Sequence, residues 1–227
     1  SICCIHGVAT KRRYDFFYFK VVSFLTPGDI YRYDFATDAT THVKAIAVAD
    51  FDASQFAIEQ QWYASKDGTK VPMFLIYKKT LVRDGSACCL LYGYGGFNIP
   101  ITPGFTASRC VWLDNFSGVL AIANIRGGGE FGEAWHEGGI KHNKQNVFDD
   151  FQAAAAHVAA ERFSAAPRIT IMGGSNGGLL VAACANQAPH LFGCVINMVG
   201  VNDMLRFHKF TIGYAWCSDF GNPDDAA

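Results

Sequence analysis

The sequence predicts an α/β fold, in which a largely parallel β-sheet carries helices on its faces. Apolar segments of strand length alternate with helical segments from about residue 49 onward, the pattern of a parallel sheet. Half of the 227 residues are hydrophobic and only 17% are charged. This composition can bury a sizeable core and excludes a disordered chain.

The charge balance argues against nucleic-acid and membrane partners. Lys and Arg number 19 against 20 Asp and Glu, so the formal net charge is −1. A nucleic acid or an anionic membrane surface selects a basic protein, and this chain is not basic. No apolar run approaches the roughly 18 residues that a membrane span needs.

The first 48 residues predict β-structure apart from the alternating pattern. Residues 14–24 are rich in aromatic and β-branched side chains, and residues 30–35 follow a Thr-Pro-Gly-Asp turn as a second strand. Two strands are barely stable in water by themselves. We therefore expect residues 1–48 to be the end of a larger β-domain, such as a propeller blade, and residues 49–227 to form a second domain.

The second region predicts a hairpin and then alternating strands and helices. Residues 59–64 and 71–77 flank the turn signal Lys66-Asp67-Gly68. Further strands are predicted at residues 87–91, 118–125, 168–172 and 193–199, and helices at residues 148–162 and 178–187. Asp149 and Asp150 fall near the predicted start of the first helix, where the helix dipole favours them.

The pentapeptide 173–177 matches the pattern G-x-S-x-G, with Ser175 at its centre. A predicted strand leads into it and a predicted helix leads out, which is the context of a nucleophile elbow. Ser175 is then the nucleophile, and the backbone N–H of Asn176 would stabilise an oxyanion at the helix N-terminus. A glycine-rich turn of any doubly wound sheet remains the alternative, but the flanking elements favour the nucleophile.

A second glycine motif, formed by Gly127, Gly129 and Gly132, matches G-x-G-x-x-G after a strand. A dinucleotide site needs a helix directly after this motif and an acidic residue about twenty positions on, at the end of the next strand. Here two more glycines interrupt, and Asp149 and Asp150 fall on a predicted helix. We therefore expect no nucleotide and no other cofactor.

The eight cysteines argue against a metal site. No C-x-x-C pair occurs, so we expect neither zinc nor another metal. Cys88, Cys89, Cys184 and Cys194 lie in apolar runs and are expected to be buried, reduced thiols. Reduced thiols predict a cytoplasmic protein.

The order of several long motifs resembles the prolyl oligopeptidase family. The chain reads SKDGTKVP from residue 65, LYGYGGF from 91, NIRGGGEFG from 124, GGSNGG from 173, and DML…TIGYAW between 203 and 216. The resemblance implies a serine endopeptidase that cleaves short peptides after proline, built from an α/β-hydrolase domain and a β-propeller. Residues 1–48 would then be a remnant of the last blade.

The resemblance also implies roles for individual residues. Ser175 looks like the nucleophile, Tyr94 like an oxyanion donor acting through its phenol, and Trp216 like the residue that stacks on the substrate proline. Positions matching the family's pocket lining are Phe97, Val201 and Ile212. Without the resemblance, Tyr94 would be a packing aromatic and Trp216 as readily a core residue as a ligand. Phe220 departs from the family's usual tyrosine.

The triad aspartate and histidine are not expected in this chain. In this fold they follow the nucleophile on later strands, and the chain ends at Ala227. Only His190 and His208 come after Ser175, and neither is expected to be the base. The three later acids, Asp219, Asp224 and Asp225, are expected to be loop acids rather than the triad acid.

These observations predict a fragment. The chain starts with Ser1 and has its first methionine at Met73, so we expect it to begin inside a longer protein and to be inactive alone. Its expected partners are short proline-containing peptides and the missing propeller and C-terminal segment of the same parent chain. Two alternatives stay open: a related acyl hydrolase, such as an esterase or acylaminoacyl-type peptidase, and a non-catalytic binding module.

Overall fold

Two β-sheets organise the chain. The computed structural model describes residues 2–225, so Ser1, Ala226 and Ala227, at the outer ends of the two predicted regions, lie outside it. A four-stranded sheet comes first in sequence, and a six-stranded sheet flanked by helices follows. The predicted α/β character is confirmed for the second region.

The first sheet is an antiparallel meander. Its strands are β1 (Cys4–Ala9), β2 (Phe16–Val22), β3 (Asp29–Asp34) and β4 (Ala39–Ala45), paired in that order. The two predicted strands are confirmed as β2 and β3, whereas β1 and β4 were missed because they are exposed outer strands without an alternating apolar pattern. The central pair was predicted because aromatic rings face each other across it, as in the stacked rings of Phe19 and Tyr31, 5.4 Å apart.

The second sheet is mixed, with spatial order β10-β9-β7-β8-β6-β5. Its strands are β5 (Phe56–Ala64), β6 (Lys70–Lys78), β7 (Cys89–Tyr92), β8 (Val119–Ala123), β9 (Ile169–Gly174) and β10 (Cys194–Met198). Strand β7 pairs in parallel with β8 and β9, and β10 extends this parallel part. The predicted hairpin is confirmed as the antiparallel pair β5–β6.

Five α-helices accompany the sheets within residues 2–225. They are α1 (Ala107–Asn115), α2 (Glu133–Glu137), α3 (Gln145–Ala160), α4 (Asn176–Gln187) and α5 (Cys217–Phe220). Helices α3 and α4 were predicted, although α3 begins three residues earlier than expected. Asp150 therefore lies beyond the first turn, and it is fully buried against Arg126 rather than placed for the helix dipole.

The core has two layers, one on each face of the six-stranded sheet. Alternate side chains of a strand point to opposite faces, so Leu91 packs in the cluster that includes Phe151 of α3, whereas Leu90 packs on the other face. Phe24, which follows β2, is fully buried in that second cluster. The expected domain boundary between residues 48 and 49 therefore does not separate the hydrophobic cores, because residues on both sides of it pack in this second cluster.

The expected burial of the thiols is only partly correct. Cys89 and Cys184 are buried, and burial raises the pKa of the Cys184 thiol to about 12. Cys88 and Cys194 are exposed instead, because Cys88 precedes β7 and Cys194 opens the outer strand β10. Across residues 2–225, no helix is both long and apolar enough to cross a lipid bilayer.

Candidate active site

Ser175 lies on a sharp turn between β9 and α4. Ser175 is exposed to solvent. Its backbone has φ 55° and ψ −116°, a conformation that non-glycine residues rarely adopt. The turn is held on both sides: the Ser175 N–H donates to the Met198 carbonyl at 2.9 Å, and the Gly178 N–H donates to the Ser175 carbonyl at 2.9 Å. The geometry is that of a nucleophile elbow, as the sequence predicted.

The glycines around Ser175 are required by close backbone contacts. A Cβ on Gly173 would lie 2.1 Å from the carbonyl oxygen of Gly177. A Cβ on Gly177 would lie 2.8 Å from the carbonyl oxygen of Gly93, in the segment after β7. Strand, helix and the neighbouring loop therefore meet at distances that only glycine permits.

Tyr94 lies beside Ser175 because β7 and β9 are neighbouring parallel strands whose carboxyl ends share one edge. Burial raises the pKa of the half-buried phenol, and hydrogen bonding with the Ser175 hydroxyl opposes this rise in part. The net shift is upward, so the phenol keeps its proton at neutral pH and can donate a hydrogen bond.

Asn176 is the first residue of α4 and is almost completely buried. Its backbone N–H belongs to the first turn of the helix, where N–H groups have no intrahelical acceptor and the helix dipole is positive. Its side chain has a separate task that the sequence did not reveal. The Nδ2 group donates to the carbonyl oxygen of Tyr94 at 2.6 Å, which joins the two expected oxyanion donors.

A buried ion pair, absent from the sequence-based predictions, lies next to these donors. The ammonium of Lys144 donates to the Gly95 carbonyl and to Oδ1 of Asn176, both at 3.1 Å, and lies 3.4 Å from Oδ2 of Asp219. Asp219 was expected to be a loop acid, and this was wrong: it lies in α5 and is 2% exposed. No local pattern marks either residue, because they are 75 positions apart.

Asp219 accepts two further hydrogen bonds. The backbone N–H of Phe97 and Nε2 of His136 each lie 3.0 Å from Oδ1. His136 also contacts Glu133 through Nδ1 at 3.0 Å. Burial opposes protonation of His136, but the two carboxylates outweigh it and raise its pKa above the usual 6.5. The other two late acids, Asp224 and Asp225, are exposed as expected.

The predicted pocket residues are connected by aromatic contacts. Trp216 is half-buried and stacks on Phe207, with ring centroids 6.4 Å apart. Phe220 meets Phe207 edge-on at 5.3 Å and meets Phe97 edge-on at 5.4 Å. Phe207 and Phe220 therefore bridge Trp216 to Phe97, and Phe207 was missed because a lone phenylalanine carries no sequence signal of its own.

The two remaining pocket residues differ in their relation to the site. The Val201 N–H donates to the Ser175 carbonyl at 3.4 Å, which places this residue directly beside Ser175. Ile212 is 59% exposed and immediately precedes the turn that carries Trp216. Its place in a pocket stays a prediction.

Some of the described histidines have carboxylate partners. His208 pairs with Asp224 at 2.9 Å, His136 is bound by Asp219, and His190 is exposed. Within residues 2–225, no histidine hydrogen-bonds Ser175. The expected nucleophile and the expected oxyanion donors, Ser175, Tyr94 and Asn176, therefore lie together.

The second glycine motif has a structural role in this site. A Cβ on Gly127 would lie 2.5 Å from the carbonyl oxygen of Gly95, and one on Gly129 would lie 2.5 Å from that of Asn98. The motif thus lets its loop pack against the loop that follows Tyr94. Asp150, which would have to serve a nucleotide ribose, is instead hydrogen-bonded to Arg126.

An exposed serine on a strained strand-to-helix turn, with a tyrosine and a helix N-terminus beside it, defines the α/β-hydrolase class. A sequence profile described as the prolyl oligopeptidase family matches residues 103–227. The chain belongs to the prolyl oligopeptidase family, a family of serine peptidases.

Individual relatives agree with this assignment. Prolyl oligopeptidase A of Galerina marginata is 47% identical over 96% of this chain, and the prolyl endopeptidase of Dictyostelium discoideum is 46% identical over 96%. The solved structure of prolyl oligopeptidase B from Galerina marginata, bound to a 25mer macrocyclization substrate, has a TM-score of 0.92 at 42% identity and 96% coverage. The chain spans 30% of the length of both curated relatives and 31% of that solved chain.

Proposed function

We propose that this chain is the nucleophile-bearing part of a serine endopeptidase that hydrolyses short peptides on the carboxyl side of proline. The observation that carries the proposal is Ser175 itself, exposed on a strained elbow beside the phenol of Tyr94 and the first turn of α4. Such an elbow presents a serine hydroxyl to an acyl carbon and places donors where the carbonyl oxygen becomes charged.

The proposed reaction proceeds through an acyl-enzyme. The Oγ of Ser175 attacks the prolyl carbonyl carbon, and the oxygen of the tetrahedral intermediate accepts hydrogen bonds from the Tyr94 phenol and the Asn176 N–H. The C–N bond then breaks, the amine leaves with a proton, and an ester to Ser175 remains. Water attacks this ester and releases the proline-ended peptide. The proton moves through a histidine base, held by an aspartate, on a further segment of the parent chain.

The proline pocket is proposed to be formed by the aromatic group around Trp216. The flat indole face suits a compact apolar ring, and such stacking contributes about 1 kcal/mol beyond burial of area. Its half-buried position leaves part of the indole accessible. Phe97, Val201 and Ile212 are proposed to complete the pocket wall.

Residues 1–48 are proposed to be the remnant of the last propeller blade, and residues 49–227 the first part of the peptidase domain. Support comes from the size of the first sheet, since a four-stranded antiparallel sheet is the unit of a propeller blade. The buried thiols of Cys89 and Cys184 support a reducing compartment, the cytoplasm.

The 227-residue chain alone is proposed to be nearly inactive, because activation of Ser175 needs its base. In another serine protease, subtilisin, loss of the histidine alone lowers kcat by about a millionfold. The full-length native protein is proposed to be a working peptidase, in which the missing segment supplies the acid and the base.

The test compares the full-length protein, the 227-residue chain and the full-length Ser175→Ala variant. Each is assayed on a peptide amide cleaved after proline, on the same peptide with alanine in that position, and on a simple ester. We expect only the unaltered full-length protein to cleave, with strong preference for the proline amide. Turnover of the ester without the amide would instead favour a related acyl hydrolase. An unaltered protein that matches Ser175→Ala on every substrate would leave a non-catalytic binding module.

A further inference from the structure

Lys144 is the most enclosed ammonium group near the nucleophile. Its side chain is 13% exposed, and its Nζ reaches the Gly95 carbonyl, Oδ1 of Asn176 and Oδ2 of Asp219. A lysine is rarely buried to this extent without a carboxylate and without acceptors for its remaining protons. The three partners lie in different elements: Gly95 in the loop after β7, Asn176 at the start of α4, and Asp219 in α5.

Two of the contacts fix the parts that carry the oxyanion donors. Gly95 directly follows Tyr94, and Asn176 opens the nucleophile helix. The Asn176 side chain also donates to the Tyr94 carbonyl at 2.6 Å, so Lys144 and Asn176 together bind two successive carbonyls of the Tyr94 loop. A Cβ on Gly96 would lie 2.5 Å from Nδ2 of Asn176, which shows how tightly this loop packs on the helix.

The third contact supplies the counterion. Burial lowers the pKa of Lys144, and the carboxylate of Asp219 opposes this and favours the charged form. Asp219 is held in turn by the Phe97 N–H and by His136. Phe97 has φ 56°, so this hydrogen bond also secures a backbone conformation that is unfavourable for a non-glycine residue.

We propose that Lys144 is a positioning residue for the oxyanion hole and that Asp219 is the counterion that holds its ammonium in place. This proposal rests on the proposed function, because it concerns the same nucleophile. Stabilisation of an oxyanion requires donors about 3 Å from the charged oxygen, and a misplacement of about 1 Å costs on the order of 100-fold in rate. Lys144 touches neither substrate nor Ser175, and acts only through the Tyr94 loop and Asn176.

Another enclosed ion pair, between Arg126 and Asp150, does not have this relation to the site. Arg126 and Asp150 are equally buried, but Arg126 binds Asp67 and Ser65 in the β5–β6 hairpin, away from Ser175. Burial of an ion pair is therefore not a sufficient reason to assign Lys144 a role in the site. The reason is that Lys144 contacts both sides of the expected oxyanion hole.

The variant that tests the role is Lys144→Met in the full-length protein, because methionine keeps the unbranched stem and removes the ammonium. Lys70→Met is the matched control: Lys70 is exposed at the start of β6, and within residues 2–225 its side chain makes no hydrogen bond or ion pair. The measurements are kcat and KM for the proline amide, and the affinities of a peptide proline-aldehyde and of the corresponding alcohol. The aldehyde forms a hemiacetal with Ser175 whose oxygen occupies the oxyanion position, whereas the alcohol occupies the pocket without a covalent bond.

We expect Lys144→Met to lower kcat and the aldehyde affinity by about 10- to 100-fold. The KM and the alcohol affinity should stay within about threefold, since the pocket aromatics are retained. Lys70→Met should leave all four values unchanged. Parallel losses for aldehyde and alcohol, or an unchanged kcat in a folded Lys144→Met protein, would overturn the proposal.

A double variant guards against simple misfolding. Lys144→Met leaves the Asp219 carboxylate buried without its cation, which is costly, so Lys144→Met/Asp219→Asn removes both charges and keeps an oxygen for the Phe97 N–H. We expect Asp219→Asn to lower kcat when Lys144 is present and to change it by less than about threefold when Lys144 is already replaced. Additive losses in the two variants would contradict the assigned counterion role.

A measurement that does not depend on enzyme activity distinguishes this proposal from the proposed function. Hydrogen exchange of the backbone amides of residues 94–98 and 176–179 reports directly on the loop and the helix start. Both segments should exchange faster in Lys144→Met than in the unaltered protein and in Lys70→Met. If the unaltered protein cleaves nothing but these segments are loosened, the proposed function fails and the positioning role stands. Unchanged exchange removes the positioning role whatever the activity.

Discussion

The side chain of Asn176 donates from Nδ2 to the carbonyl oxygen of Tyr94 at 2.6 Å. This one hydrogen bond connects the helix that follows the nucleophile to the loop that carries the phenol. The residue beside Ser175 therefore has two separable parts: a backbone N–H at the helix start and a buried amide that holds the neighbouring loop.

Asn176→Ala separates these two parts, because alanine keeps the backbone N–H and removes the amide. The Tyr94 carbonyl and the Lys144 ammonium then each lose a buried partner, and an unsatisfied buried group costs about 1–3 kcal/mol. We expect the free energy of unfolding, measured in urea, to fall by about that amount. Asn222→Ala is the control, because this asparagine is exposed and its side chain bonds only exposed neighbours, the Asp225 carboxylate and the Asp224 N–H. Equal values for the two variants would show that the amide does not hold the loop.

Ser175 gives a prediction about backbone strain. A residue held at φ 55° and ψ −116° stores about 1–3 kcal/mol unless it is glycine. Both Ser175→Ala and Ser175→Gly abolish the nucleophile, but only glycine relieves the strain, at an entropic cost of about 0.5–1 kcal/mol. We expect Ser175→Gly to be more stable than Ser175→Ala by about 1 kcal/mol in urea unfolding. An alanine variant as stable as the glycine variant would mean that the elbow is unstrained.

The local features of this site were predictable because their signals lie close together in sequence. The elbow needs a strand, two flanking glycines and a helix within about twenty residues, and all of these carry patterns. The outer strands β1 and β4 carry none, because exposed strands have no apolar face. Lys144 and Asp219 could not be paired from sequence, since a contact across 75 positions exists only once the fold brings α5 to the Tyr94 loop.

The ion pairs of Arg126 with Asp150 and with Asp67 differ in burial, and burial determines how much an ion pair contributes to the free energy of unfolding. The Nη2–Oδ1 distance is 2.6 Å and Asp150 is fully buried, whereas Asp67, bound to the same guanidinium, is 47% exposed. Removing one partner of a buried pair costs about 3–5 kcal/mol, and an exposed pair contributes about 0–1 kcal/mol.

We therefore expect Asp150→Asn to lower the free energy of unfolding by about 3–5 kcal/mol and Asp67→Asn by at most about 1 kcal/mol. The Asp67 pKa is lowered to about 2, chiefly by its hydrogen bond to Arg126. Its small contribution is present above the usual value of 3.8 and is lost as the pH falls toward 2. Urea unfolding of both variants at neutral pH decides the ranking, and similar losses would contradict it.

His136 predicts a pH-dependent contribution to stability. Burial lowers its pKa, but hydrogen bonds to Asp219 and Glu133 outweigh this, so the folded-state pKa lies above the unfolded value near 6.5. A group whose pKa is raised by folding stabilises the folded state fully below its unfolded pKa. That contribution disappears as the pH rises through the folded pKa. The difference in unfolding free energy between the unaltered protein and His136→Gln should therefore be larger at about pH 5.5 than at about pH 8.5. His190→Gln, at an exposed histidine, controls for the replacement of a histidine by glutamine. A His136→Gln difference that is constant across this range would mean that His136 binds Asp219 equally well in its neutral form.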